Sequence, residues 1–234
     1  MPRRARNPVD GGIYHVLNRG NCRMDIFAKP ADFQAFVALL EEGRRRHSMR
    51  ILGYCLMRNH WHLVLWPRSG RDLSKFVGWI STTHVRRWRE HRGSTGEGHL
   101  YQGRFKSFLI QDDHHFLTVM RYVEGNPLRA RMVRRAENWP WSSLGGRSGT
   151  DQLRVQLADW PVPRPGRWAG RVNEPLDEQT LGGLRRSIAR GRPYGDDAWT
   201  ARVARRYGLE STLRDPWRPR KALARKEPRG NARS

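Results

Sequence analysis

Residues 49–66 read MRILGYCLMRNHWHLVLW, two apolar runs of strand composition separated by Arg58-Asn59. Runs of this length joined by two residues predict a tight β-hairpin, with Asn59 as the residue that tolerates positive φ. Along the second run alternate side chains share a face, so His60 and His62 project to one side and Trp61 to the other. Two imidazoles one strand pitch apart can chelate a divalent ion from a rigid element. They fit a second description equally well, as two half-exposed histidines at the start of a strand. With nine histidines in 234 residues, such a spacing arises readily by chance.

The segments on either side supply the context. Residues 13–18, IYHVLN, follow Gly11-Gly12 and predict a strand. Pro30 opens a helical pattern with Phe33, Phe36, Val37 and Leu40 at i, i+3, i+4 and i+7, expected to close near Gly43 and the basic RRRH (44–47). Leu73, Phe76, Val77, Ile80, His84 and Trp88 trace a second amphipathic helix. RFKSFLI (104–110) predicts a fourth strand, and Asp112-Asp113 suit the N-terminal dipole of a third helix with Phe116, Val119, Met120 and Val123 as its apolar stripe. The order β-α-β-β-α-β followed by a helix predicts an α+β fold of the ferredoxin-like kind, an antiparallel sheet with two helices on one face. Three segments are expected: a catalytic-type domain over 1–144, a Gly/Pro-rich linker over 145–178, and a basic helical extension over 179–234. The extension should hold two short helices broken by RGRPYG, Gly191 and Pro193 ending the first, and finish in a disordered basic tail over 214–234.

Charge narrows the choice of partner. The chain holds 45 Lys+Arg against 22 Asp+Glu, a formal +23, and only five of the 45 are Lys. Arginine matches phosphate bidentately and stacks on bases, so the surplus points to nucleic acid. It is not confined to a tail: residues 164–234 hold 18 basic and 8 acidic residues, and the rest of the chain 27 and 14. Cys22 and Cys55 fit neither a disulfide framework nor a zinc ribbon. With neither a signal-peptide pattern nor an apolar run of spanning length, the expectation is a cytoplasmic, nucleoid-associated protein without a membrane partner.

On the third helix Tyr122 and Asn126 are i and i+4 and share a face at the rim of the apolar stripe. Pro127 places Asn126 in the last turn or just beyond. Asn126 suits either a C-terminal cap or a carbonyl ligand for a hard cation. Tyr122 suits either a half-buried aromatic or a nucleophile. His115, seven residues before Tyr122, falls on the same face.

Taken together, YHVLNRGN (14–21), LMRNHWHLVLWP (56–67), FKSFLIQDDHHFLTVMRYVEGNPLRARMV (105–133) and WPWSSL (139–144) resemble the REP-associated tyrosine transposases. These are a domesticated branch of the single-tyrosine HUH transposases of bacterial insertion sequences. The resemblance implies a ferredoxin-like HUH domain acting as a single-stranded DNA endonuclease and strand-transferase on palindromic REP-like hairpins. It implies that His60, His62 and Asn126 bind Mg²⁺ or Mn²⁺ and that Tyr122 is the nucleophile, leaving a 5′-phosphotyrosine. Arg19, Arg104, Lys106 and Arg129 lie in or beside the matched motifs and are expected on DNA phosphates, in a monomer or a homodimer. A non-catalytic hairpin-binding protein on the same fold, or another HUH enzyme of the replication or relaxase kind, are the competing readings.

Overall fold

The sheet is built around β1 (Ile13–Arg19), which pairs antiparallel with β3 (His60–Trp66) on one side and β4 (Lys106–Ile110) on the other. Strand β2 (Arg50–Met57) pairs antiparallel with β3, giving the order β2-β3-β1-β4. The computed structural model describes residues 9–94, 96, 98–147 and 155–214. Helix α1 (Pro30–Arg46) connects β1 to β2, and α2 (Gly70–Arg92) connects β3 to β4. The chain therefore has the expected α+β arrangement, an open antiparallel sheet in the ferredoxin-like order.

The two-residue period of the strands divides the apolar side chains into two cores. Tyr14, Val16, Leu56, Trp61, Leu63 and Leu65 pack with Phe36, Leu40, Phe76 and Ile80 of α1 and α2. Ile13, Cys55, Met57, Val64, Phe108 and Ile110 turn to the other side, against α3 (His114–Glu124). A bulge in β2 at Leu52, between Ile51 and Gly53 in the pairing with β3, lets both ends of that strand serve both cores.

Helix α1 ends at Arg46, within the basic run that follows Gly43, as expected. A side chain at Gly43 would come within 2.7 Å of Ile80 and 2.9 Å of Trp79, so this glycine is a crossing point for α2. One local expectation is corrected. The β2–β3 turn has the expected two residues, Arg58 and Asn59, yet neither has positive φ. Asn59 instead acts through its hydrogen bonds: its carbonyl accepts from Gly20 N and its side-chain amide donates to Arg23 O.

The chain beyond residue 138 packs on both edges of the sheet. Beside β2, Leu56 N donates to Trp141 O, Ser143 N to Tyr54 O and Ala158 N to Ile51 O. Beside β4, Tyr194 N donates to Leu109 O and Gln111 N to Tyr194 O. Backbone groups that would invite pairing with another chain are thereby used. Within the stretch expected as a linker, α5 (Trp168–Asn173) buries Trp168 and Val172 in the α3-side core. Helices α6 (Glu178–Arg190) and α7 (Asp197–Tyr207) flank RGRPYG as expected, with Gly191 in the left-handed conformation ending α6. The short α4 (Asn126–Arg129) follows α3 directly. Residues 148–154 of the expected linker and 215–234 of the expected tail lie outside the described residues.

His84, in the α1/α2 core, is a useful reporter of this packing. Its ring lies against Phe27 and Phe36, and its Nδ1 is 2.6 Å from the Tyr101 hydroxyl, which also accepts from Trp61 Nε1. Burial pushes the imidazole down from 6.5 to about 3. Between those two values the unfolded chain takes up a proton that the folded chain refuses, so stability falls as pH drops through the window. Thermal melts from pH 7 to pH 4 should show this fall. His84→Gln should remove a part of the slope approaching about 1.4 kcal/mol per pH unit.

Candidate active site and nucleic-acid interface

Alternation on β3 sends Trp61 into the α1/α2 core and turns His60 and His62 toward α3, their rings 5.0 Å apart. His62 is buried, at 2% exposure, and His60 is half-buried. Both imidazoles have their Nδ1 engaged. His60 Nδ1 lies 2.6 Å from Asn59 Oδ1, and His62 Nδ1 lies 2.7 Å from His15 Nε2. Asn59 Oδ1 can only accept, so His60 carries its proton on Nδ1. On His62, Nε2 faces the Asn126 amide nitrogen at 2.7 Å and so acts as an acceptor, which again places the proton on Nδ1. Each Nε2 therefore presents a lone pair, the form of imidazole that binds cations.

Electrostatics holds that form in place. Burial, with the positive charge of Arg19 added, pushes His60 down to about 4. Burial takes His62 well below its ordinary range, and neighbouring His15 and His60 add to the effect. Rotating the Asn126 amide end over end would bring Oδ1 to the side now held by its nitrogen. The donor set would then be two neutral imidazoles and an amide oxygen, a set able to hold a divalent ion.

Helix α3 brings Tyr122 to the same place. Asp113 caps the helix by accepting from His115 N, in line with the expected acidic start. The Tyr122 ring stands edge-on to His62 at 5.9 Å and to His15 at 6.4 Å. The Arg129 guanidinium lies over that ring at 4.2 Å and donates to the Tyr122 carbonyl. Asn126 is the first residue of α4, just beyond the end of α3.

The expected phosphate contacts distribute as follows. Arg19 pairs with His60 across β1–β3, on the same face as the histidines. Lys106 pairs with Leu17, which in turn pairs with His62, so it lies in the same cross-strand row two strands away. Arg19, Arg104 and Lys106 share a surface cleft of about 230 Å³ with Asn18 and Gln102. Arg129 is the fourth, over Tyr122.

Three findings lay beyond reach from the sequence. His15, on β1, supports His62 and is itself buried, which pushes it down to about 3. The only signal for it was one histidine in an apolar strand at the correct parity. Glu124 does not reach the site. It is fully buried on the far side of α3, where its carboxyl accepts from Ser143 Oγ at 2.5 Å and Trp168 Nε1 at 2.6 Å. His115 turns away from Tyr122, its ring held by Asp113 and edge-on to Tyr194. Asp113, His114 and His115 also form, among the described residues, a group whose ligand atoms lie within 4.8 Å of one another. Its members are already occupied in capping α3 and bonding each other, and His114 is exposed. His60 and His62, by contrast, are half-buried and buried, and their rings are held neutral.

The comparisons with known proteins bear on this geometry. The model of the family described as "Transposase IS200 like" matches residues 9–126, a span holding β1 to β4, Tyr122 and Asn126. A Haemophilus influenzae protein described as a REP-associated tyrosine transposase is 23% identical over 106 residues, 42% of this chain and 60% of that protein. The chain thus spans about 60% of the length of this curated relative. A solved REP-associated tyrosine transposase, bound to a REP hairpin, superposes at a TM-score of 0.52 with 18% identity, covering 68% of this chain and 93% of that one, a likeness of fold. A transposase structure from Deinococcus radiodurans superposes at 0.38 with 15% identity, over 53% of this chain and 96% of that one. Among the described residues no helix is long and apolar enough to cross a membrane. With half of its length matched by the family model, the chain belongs to the IS200-like transposase family.

Proposed function

We propose that this protein cuts and rejoins single-stranded DNA at the foot of REP-like hairpins, with Tyr122 as nucleophile. The observation that supports this most directly is the convergence of Tyr122 and Asn126 on His62, whose proton is held on the side away from them. His60, His62 and Asn126 would hold a divalent ion, which would supply charge neutralisation at the scissile phosphate. Arg129 and Arg19 flank that position and add fixed positive charge to bind the phosphate. The Tyr122 oxygen attacks phosphorus and gives up its proton, while the bond to the 3′ oxygen breaks and that oxygen takes a proton. The products are a 5′-phosphotyrosine and a free 3′-OH. A phenol has an ordinary pKa near 10, so neutralising the phosphate is what allows attack near neutral pH. The phosphodiester energy is retained in the tyrosine linkage, so a 3′-OH can reverse the step without ATP. The surplus charge spread along the chain suits a hairpin substrate, whose stem and foot both present phosphates.

Incubation with a hairpin bearing a single-stranded foot, plus Mn²⁺, should give a covalent adduct that survives denaturing electrophoresis. Tyr122→Phe should abolish it while keeping hairpin affinity within about twofold. An equal adduct from Tyr122→Phe would contradict the assignment. No adduct from wild type, with tight hairpin binding, would favour the non-catalytic binding protein instead.

Mn²⁺ titration by calorimetry, without DNA, tests the ligand set separately. His60→Ala and His62→Ala should each abolish binding. His15→Phe, which leaves both ligands but removes the support of His62, should weaken it about 10–100-fold. Unchanged affinity in His62→Ala would remove that residue from the site.

A further inference from the structure

Glu124 lies two residues after Tyr122, so it stands about 200° around α3 from it. It is fully buried, and its two oxygens take separate donors: Oε2 from Trp168 Nε1 at 2.6 Å and Oε1 from Ser143 Oγ at 2.5 Å. The two donors come from different places. Trp168 belongs to α5 in the C-terminal third. Ser143 Oγ also accepts from the backbone N–H of Tyr54 at 3.1 Å. Tyr54 pairs with Leu63 and Cys55 with His62, so this hydroxyl ties α3 to the backbone beside the histidine strand.

Helix α5 holds the same stretch of α3 at further points. Arg121 Nε donates to Arg171 O at 2.8 Å, and Arg121 donates through Nη2 to Glu174 O at 3.1 Å. Val172 O lies within 3.3 Å of where a side chain on Gly125 would begin.

We propose that Glu124 and Trp168 are positioning residues that set the rotation of the tyrosine helix against the histidine strand. On this proposal, which rests on Tyr122 being the nucleophile, α5 is a working part of the cleavage site although it meets α3 through Glu124, on the side away from Tyr122. The leverage is geometric. The Tyr122 hydroxyl lies far out from the helix axis, so a 10° turn of α3 moves it about 1.5 Å. Misplacement by about 1 Å is enough to cost on the order of a hundredfold in rate. A buried carboxyl deprived of its donors is strongly disfavoured, so Glu124 resists such a turn.

The test uses the full chain, a hairpin with a single-stranded foot and Mn²⁺, following adduct formation in single turnover. Trp168→Phe keeps the ring and deletes the N–H, and Glu124→Gln keeps the size and one acceptor. Each should lower the rate at saturating DNA tenfold or more while the half-saturating DNA concentration stays within about twofold. Leu40→Ala, a buried position in the α1/α2 core, serves as a control for lost stability and should keep the rate within about threefold. Wild-type rates in both folded variants, or an equal loss in Leu40→Ala, would overturn the proposal. If Trp168→Phe does not fold, Glu124→Gln carries the same two outcomes. Absence of any adduct from wild type would instead defeat the nucleophile assignment, and the proposal with it.

Discussion

Trp61 has one place to go, and the site depends on it. Its indole is fully buried between α1 and the loop before β4, with Phe36 against its ring and Tyr101 accepting its N–H at 2.9 Å. A slip of one residue in the pairing of β3 would turn this ring to the α3 side of the sheet and drive the two flanking histidines into the α1/α2 core. The cost of that exchange fixes the register, and the register fixes His60 and His62 on the opposite face. The candidate site is thus held from behind by a fully buried tryptophan.

From that face the hydrogen bonds run outward in order. Asn59 and His15 fix the tautomers of His60 and His62, and low proton affinity in a buried setting keeps the rings neutral. Tyr122 and Asn126 meet His62 from α3, and Glu124 on the other side of that helix is bound to Ser143 and Trp168. The chain beyond residue 138, which also covers both sheet edges, is therefore continuous with the supports of the site. Preorganisation of this kind is what a reaction with a weak phenolic nucleophile requires.

Periodicity was enough to place Trp61 opposite His60 and His62, and to put Tyr122 beside Asn126, because those relations follow from the geometry of a single strand or helix. The β-α-β-β-α-β order was legible for the same reason. What the sequence left hidden depends on chain segments far apart. His15 supports His62 diagonally across two strands, and no spacing within one element signals that. The helical wheel puts Glu124 opposite Tyr122, but its partners Ser143 and Trp168 come from segments 19 and 44 residues away. The end of α1 near Gly43 was legible, but only the crossing with Ile80 and Trp79 shows why a side chain is excluded at that glycine. At Asn59 the conformational tolerance of asparagine was the wrong property to weigh, since its side-chain amide and carbonyl are what the turn uses.

The central claim is that one particular oxygen attacks DNA. Mass spectrometry of the protein–DNA adduct after trypsin digestion tests it most directly. Cleavage after Arg121 and Arg129 releases the peptide YVEGNPLR, residues 122–129, and the account predicts a 5′-phosphate-linked nucleotide on its tyrosine. Attachment at Tyr101, Tyr194 or Tyr207, or cleaved DNA with no linked peptide, would contradict it.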